Sequence, residues 1–127
     1  MNEKPAAMVE PFHGTVNVRF SDAIIASTKQ ALVLREEGRD PAYFIPFRDV
    51  YFEFLVPSPR EEESRLDGKV RYWNVEAVGA AENDVMWVYD QPGPQLASIR
   101  QHGTFDPAKV RIDALPSEDL IHTPHAP

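Results

Sequence analysis

The chain has 127 residues, of which 43% are hydrophobic and 26% are charged, with a formal net charge of −7. A domain of this size buries about two-thirds of its unfolded surface, which is enough for one hydrophobic core. The acidic balance disfavours duplex nucleic acid, because binding there requires Lys and Arg to replace counterions on phosphates. Since these residues include no cysteine, disulfides, thiolate nucleophiles, iron–sulfur clusters and Cys-bound zinc are excluded.

The apolar residues are not distributed as in a membrane or secreted protein. No apolar run approaches the roughly 20 residues that a membrane-spanning helix needs. The first residues, Met1 to Pro5, have no apolar stretch of the kind found in secretory signals. We expect a cytoplasmic protein with no membrane or nucleic-acid partner and no cofactor or metal. A small-molecule ligand and a homo-oligomer remain open.

Proline and periodicity divide the chain into three parts. Residues 1–12 contain two prolines and no sustained periodicity, which predicts a loose N-terminal arm. Residues 114–127 contain three prolines among polar residues and predict a flexible C-terminal tail. The predicted β domain therefore comprises residues 13–113.

The first elements of this domain alternate between apolar and polar residues, the period of a half-buried strand. Residues 16–20 alternate in this way, and Ser21-Asp22 then offers a tight turn into residues 23–26, which predicts a hairpin. A third strand is predicted over residues 31–35. It ends at a strong turn signal, Glu37-Gly38-Arg39-Asp40-Pro41.

Prolines and alternation shape the middle of the chain. Residues 43–45 precede Pro46, which predicts an edge strand or an ordered loop. Residues 49–56 give the clearest strand, and residues 60–68 a charged, mobile connector. On that strand one face would carry Val50, Phe52, Phe54 and Val56, and the other Asp49, Tyr51 and Glu53.

Two long strands follow, and they contain both tryptophans and half of the four tyrosines. A polar turn over residues 79–84 joins them. One helix is predicted at Gln95–Gln101, before a turn at Asp106-Pro107 and a last strand. The predicted fold is mainly β, a compact antiparallel barrel-like or sandwich-like single domain with one short helix near the C-terminus. Shared faces are expected for Trp73, Val75 and Ala77 and for Val85, Trp87 and Tyr89.

Four segments carry a resemblance to a known family. They are Tyr43-Phe44-Ile45-Pro46-Phe47-Arg48-Asp49-Val50, Gly68-Lys69-Val70-Arg71-Tyr72-Trp73, Trp87-Val88-Tyr89-Asp90-Gln91-Pro92 and Phe105-Asp106-Pro107-Ala108-Lys109-Val110. In this order they resemble the bacterial family known as domain of unknown function 427, sometimes labelled nucleotidyltransferase-like. The resemblance implies a small, mostly antiparallel β domain and leaves the activity open.

The chain departs from the family at one place. Many relatives carry a Cys-Pro-aromatic-Lys-Gly run before the Tyr-Trp strand, whereas this chain reads Ser64-Arg65-Leu66-Asp67-Gly68. If the Cys and Lys carry chemistry in relatives, this chain has lost it or uses Ser64 and Asp67 differently. The departure favours a non-catalytic role, and the catalytic residues stay unknown.

One set of aromatic and arginine residues suggests a ligand site. Aromatic walls with a few convergent polar groups are the usual composition of a small-ligand pocket, and Arg can hold a carboxylate or phosphate with its planar fork. The alternative is that the rings fill the core while the arginines form surface pairs. The candidate ligand-binding residues are Tyr43, Arg48, Arg71, Tyr72, Trp87 and Tyr89.

Other candidates have weaker patterns. Asp49 and Glu53, on one predicted strand face, could hold Mg²⁺ or share a proton, but the same face suits simple solvation. The six glycines are scattered, so no phosphate-binding loop is indicated. His122 and His125 have a metal-like spacing in the tail, and His102 is a candidate proton carrier.

Three functions therefore remain open. The first is a non-catalytic module that binds a small anionic or aromatic ligand through the aromatic and arginine residues. The second is a nucleotide-acting enzyme of the nucleotidyltransferase-like kind. The third is a β module that oligomerises or docks a protein partner.

Overall fold

The computed structural model describes residues 7–117, which form two antiparallel sheets and three short 3₁₀ segments. The predicted mainly β, single-domain fold is confirmed. The strands are β1 (Ala7–Pro11), β2 (Gly14–Phe20), β3 (Ala23–Thr28), β4 (Leu32–Glu36), β5 (Ala42–Pro46), β6 (Leu55–Glu63), β7 (Lys69–Ala77), β8 (Ala80–Tyr89), β9 (His102–Phe105) and β10 (Arg111–Pro116). The 3₁₀ segments are η1 (Phe47–Asp49), η2 (Phe52–Phe54) and η3 (Pro94–Ile99).

The two sheets share one core. The larger sheet has the order β1-β4-β5-β9-β8-β7-β6, and the smaller has the order β10-β2-β3. Val16, Val18 and Ile25 of the smaller sheet are fully buried in one cluster with Val75 and Met86 of the larger. This cluster, the first core, holds the sheets together by removing apolar surface from water.

The larger sheet is apolar on its other face as well. Because successive strand residues point to opposite faces, Phe44 and Tyr89 lie on the side away from the smaller sheet while their neighbours Ile45 and Val88 lie in the first core. Leu96 and Ile99 of η3 complete this second core. The short 3₁₀ segment therefore covers a face that would otherwise expose large side chains.

A bulge in β8 changes which of its residues face which core. Trp73 pairs with Met86 but Val75 pairs with Glu82, so β8 has extra residues at this point. One of them, Asp84, takes a left-handed conformation with φ 52°. The expectation that Val85 shares a face with Trp87 and Tyr89 is wrong, because Val85 lies in the first core and the other two in the second.

The strand over residues 43–45 is not at an edge. β5 lies inside the larger sheet between β4 and β9, and its partners include Phe44↔Thr104 and Pro46↔His102. Pro46 is tolerated there because it is the last residue of the strand, where its missing N–H interrupts the ladder only at its end.

The predicted strand over residues 49–56 is wrong for residues 49–54, and only residues 55 and 56 belong to a strand, β6. The backbone N–H of Val50 bonds to the carbonyl of Phe47 and that of Phe54 to Tyr51, each at 3.1 Å, so local turns replace a ladder until Leu55. Asp49, Tyr51 and Glu53 consequently do not share a strand face. The charged residues 60–63 belong to β6, which leaves residues 64–68 as the connector.

The termini and the helix differ from the sequence prediction in extent. Residues 7–11, expected in a loose arm, pair with β4, and residues 114–116, expected in a tail, pair with β2. Ladder partners thus order segments that lack a clear pattern of their own. The helix predicted at Gln95–Gln101 is η3, a 3₁₀ segment interrupted at Leu96. His122 and His125 lie outside the described residues.

Within residues 7–117, no helix is long and apolar enough to cross a membrane.

Gly14 is required where β2 meets β10. It has φ 151°, and a Cβ there would lie 2.2 Å from the carbonyl oxygen of Leu115, a backbone atom with little freedom to move. We expect Gly14→Ala to lower the free energy of unfolding by about 3 kcal/mol, from the unfavourable dihedral and the clash together.

Gly79→Ala is the matched control. Gly79 also has a positive φ, 75°, but nothing lies within 4 Å of the added Cβ, so only the dihedral cost of about 1 kcal/mol applies. Urea denaturation would measure both variants. Equal losses would contradict the close approach of Gly14 to β10.

Candidate functional site

A cavity with a volume of about 950 Å³ lies in the described structure. It lies between the β4–β5 turn, the β6–β7 turn and the start of η3. We call it the groove. Its polar lining residues are Glu36, Glu37, Arg39, Arg65, Asp67 and Gln95.

An ion pair joins two walls of the groove. Arg65 donates from Nη1 to Oε2 of Glu36 at 2.7 Å and from Nη2 to Oε1 at 2.9 Å, a bidentate geometry. Partial burial by itself lowers the pKa of Arg65, but its hydrogen bonds to Glu36 and Tyr89 outweigh this and raise the pKa above its ordinary value. Arg65 is therefore a charged clamp between the β6–β7 turn and β4.

The β6–β7 turn is the segment in which the sequence departs from the resemblance. Ser64 accepts the backbone N–H of Leu66 on its hydroxyl at 2.7 Å, and the carbonyl of Leu66 accepts the N–H of Gly93 at 3.1 Å. Asp67 has φ 76°, and its carboxylate lies against Gly93, where an added Cβ would come within 2.8 Å of Oδ2. Ser64 thus has a local turn role, and the segment forms one wall of the groove.

Four polar groups on the groove remain available. Within residues 7–117, the side chains of Arg39, Glu37, Asp67 and Gln95 have no ion-pair or hydrogen-bond partner. All four residues are exposed. The groove therefore offers one free guanidinium, two carboxylates and an amide to a ligand.

The six predicted ligand residues are divided by the fold, and three of them come together. Tyr72, Trp87 and Tyr89 lie in the second core, with 6.1 Å between the ring centroids of Tyr72 and Trp87. Trp87 Nε1 donates to the hydroxyl of Tyr89 at 3.2 Å. Because Tyr89 also contacts Arg65, this aromatic set supports a wall of the groove without lining it.

The other three residues lie apart from this set. Tyr43 packs on the first core, with its ring edge-on to Phe12 at 5.5 Å. Arg71 lies opposite Val88, on the face of the first core, and its Nε pairs with Asp90 Oδ1 at 3.1 Å. Arg48 lies in η1, at a smaller cavity described below. Strand alternation separates Arg71 from its neighbour Tyr72.

Sequence reasoning missed the polar partners of Tyr72. The guanidinium of Arg60 lies 4.3 Å from the ring centroid, and the Tyr72 hydroxyl donates to Glu62 Oε1 at 3.1 Å. Burial, with the Glu62 carboxylate as a second cause, raises the pKa of Tyr72. Arg60 also pairs with Glu62 at 2.7 Å and with Asp84 at 3.3 Å. The sequence assigned residues 60–63 to a connector, so it did not predict that they would lie beside Tyr72 on the neighbouring strand.

The acidic pair Asp49 and Glu53 does not lie on one strand face. Asp49 Oδ2 accepts a hydrogen bond from the Thr28 hydroxyl at 2.6 Å, and Glu53 lies on η2 instead of a shared strand. In the part of the chain that the structure describes, no three His, Asp or Glu side chains are grouped so as to hold a metal ion.

The geometry defines a small two-sheet antiparallel β protein with a ligand-sized groove on the face covered by η3. The chain belongs to the family described as "Domain of unknown function (DUF427)", whose model matches residues 8–115. The resemblance seen in the four sequence segments is thereby confirmed. A search of curated proteins found no match for the chain.

His102 makes stability depend on pH. Burial lowers its pKa, although the hydrogen bond between Nδ1 and the carbonyl of Arg100, at 2.8 Å, acts in the opposite direction. The unfolded chain therefore binds a proton at a higher pH than the folded chain. Stability should be complete above the ordinary pKa of about 6.5 and should fall as the pH drops through the folded value.

Replacing His102 tests this dependence. We expect His102→Gln to flatten the decline in unfolding free energy between about pH 7.5 and 5.5, the range of histidine titration. His13→Gln, a change at an exposed histidine, is the control and should keep the wild-type slope. A wild-type slope in His102→Gln would show that other groups cause the decline.

Proposed function

We propose that this protein is a non-catalytic module that binds a small ligand with an anionic group in the groove. The observation that carries the proposal is a cavity of about 950 Å³ containing an arginine, Arg39, without a partner in residues 7–117. Small-molecule sites typically have volumes of about 300–1,000 Å³ and a few placed polar groups. The planar fork of Arg39 suits a carboxylate or phosphate.

The other polar side chains of the groove indicate which functional groups the ligand carries. Glu37 and Asp67 accept hydrogen bonds, and Gln95 can both donate and accept. A ligand that satisfies them carries hydroxyl or amino groups beside its anionic group, as sugar acids and amino acids do. An aromatic ligand is less favoured, because no aromatic ring of the described residues lines the groove.

The aromatic set has a supporting role in this proposal. Tyr89 contacts Arg65, and Arg65 holds the β6–β7 turn against Glu36. Leu96, which lines the groove, packs in the same second core. A rigid wall reduces the ordering cost of binding. In this proposal Arg39 and Arg65 take the place of Arg48 and Arg71, and the aromatic residues support the wall without lining the groove.

The amino-acid composition indicates the compartment and the kind of partner. We expect the module to act in the cytoplasm on a small molecule, since a net charge of −7 disfavours a nucleic-acid partner. The alternative of a nucleotide-acting enzyme rests on the family's nucleotidyltransferase-like label and on Asp49 and Glu53, which lie in η1 and η2 and not on one strand. The thermal-shift screen below also distinguishes the proposed ligand-binding module from a protein-docking or oligomerising module.

A thermal-shift screen tests the groove directly. Purified protein would be scanned with sugar acids, amino acids, other organic acids and nucleotides, each with and without Mg²⁺. A ligand at 100 times its dissociation constant adds about 2.7 kcal/mol, which should raise the melting midpoint by several degrees. We expect a metal-independent shift with an organic acid.

Two charge-matched variants locate the site. Arg39→Gln should lose the shift, whereas Arg19→Gln, which removes the same charge at a residue that lines neither cavity, should keep it. A shift that requires a nucleotide and Mg²⁺ would favour the enzyme instead. No shift with any compound, together with a stable dimer in light scattering, would favour the oligomerising module.

A further inference from the structure

A second, smaller cavity is lined by more positive than negative side chains. It has a volume of about 400 Å³ and lies between the start of β2, the end of β3 and η1. Its charged lining residues are Lys29, Arg48 and Asp49, so it carries a net positive charge in a chain whose net charge is −7. We propose that this cavity, the Lys29–Arg48 depression, binds the oxyanion group of a small ligand, a phosphate or a carboxylate.

The two cations are available for an anion. The chain has 20 acidic and 13 basic residues, so a basic side chain has many potential carboxylate partners. Arg35, Arg60 and Arg65 all form ion pairs. Within residues 7–117, however, neither Lys29 nor Arg48 forms one, although Asp49 lines the same depression. Two cations without counter-ions beside one concavity fit an external oxyanion.

A hydrogen-bond network joins Asp49 to the end of β3. Asp49 Oδ2 accepts from the hydroxyl of Thr28, a residue only 3% exposed, at 2.6 Å. The same hydroxyl accepts the backbone N–H of Gln30 at 2.9 Å. Asp49 is thereby engaged in fixing the turn that carries Lys29.

The network also orients the arginine. Arg48 Nη2 donates to the side-chain oxygen of Gln30, so one edge of the guanidinium is held by the turn. The other N–H groups of Arg48 have no partner in the described residues. A guanidinium fixed in this way loses little conformational entropy on binding. Lys29 adds a point charge, and the hydroxyl of Thr15, also without a partner in residues 7–117, adds a donor.

The depression is independent of the groove. The two cavities share no lining residue and are built from different turns. The oxyanion site can therefore be present whether or not the groove binds a ligand, and the two can be tested separately.

Titration with inorganic phosphate, sulfate and acetate tests the proposal. Binding would be followed by amide NMR at constant ionic strength, adjusted with sodium chloride, so that general screening does not change. We expect saturable shifts at residues 15, 27–30 and 47–49, a set that shares no residue with the lining of the groove. A preference for phosphate and sulfate would identify a tetrahedral oxyanion, and a preference for acetate a carboxylate; both support the site.

Substitutions assign the binding to the two cations. Lys29→Gln and Arg48→Gln should each weaken binding about tenfold, the loss expected for one charge-assisted hydrogen bond. Arg19→Gln, the control, removes the same charge from the far end of β2 and should bind with the wild-type affinity. Arg39→Gln removes it from the groove and reports separately on anion binding there.

Three results would overturn the proposal. One is equal weakening in all four variants, which would mean that only the overall charge matters. The second is the absence of saturable shifts in the wild-type protein, which does not depend on how the variants fold. The third is a change confined to Arg39→Gln, which would place the anion in the groove and remove the depression as its site.

Discussion

The structure depends on covering both faces of the seven-stranded sheet. One face packs on the smaller sheet through side chains such as Ile45 and Met86, and the other is covered by η3 and the β6–β7 turn through Leu96 and Leu66. The first cover is a regular sheet, whereas the second consists of short, irregular segments. The groove occurs on the second side because turns cover a sheet incompletely. Polar groups that line such a gap can stay without partners, as Arg39 does within residues 7–117.

The fold class could be predicted because the period of two is a local property of the sequence. Residues 16–20 and 69–77 show it clearly, and both became strands. The failures have a different physical origin. Residues 49–56 alternate equally well, yet i→i+3 hydrogen bonds at Val50 and Phe54 form two turns instead. Residues 7–11 show no pattern but gain a ladder partner in β4, which only the tertiary fold supplies.

The candidate site was harder to predict than the fold. The aromatic set was found because Tyr72, Trp87 and Tyr89 are large and close in sequence, but adjacent strand residues such as Arg71 point to the opposite face. Arg39 and Arg65 lie in turns where spacing carries no directional information. The altered run at residues 64–68 was the one sequence signal for the groove, and it pointed to a wall of it.

The edge strand β6 bears on how copies of this protein meet. Pro57 and Pro59 remove backbone donors along it, and Glu61, Glu62 and Glu63 follow them on a strand that pairs only with β7 among the described elements. Proline and clustered charge on an edge are devices that natural sheets use against unwanted strand addition. The long sheet is thus guarded against continuing into a neighbouring molecule at this end. Residues 60–63, which the sequence assigned to a connector, thus disfavour strand addition at this edge.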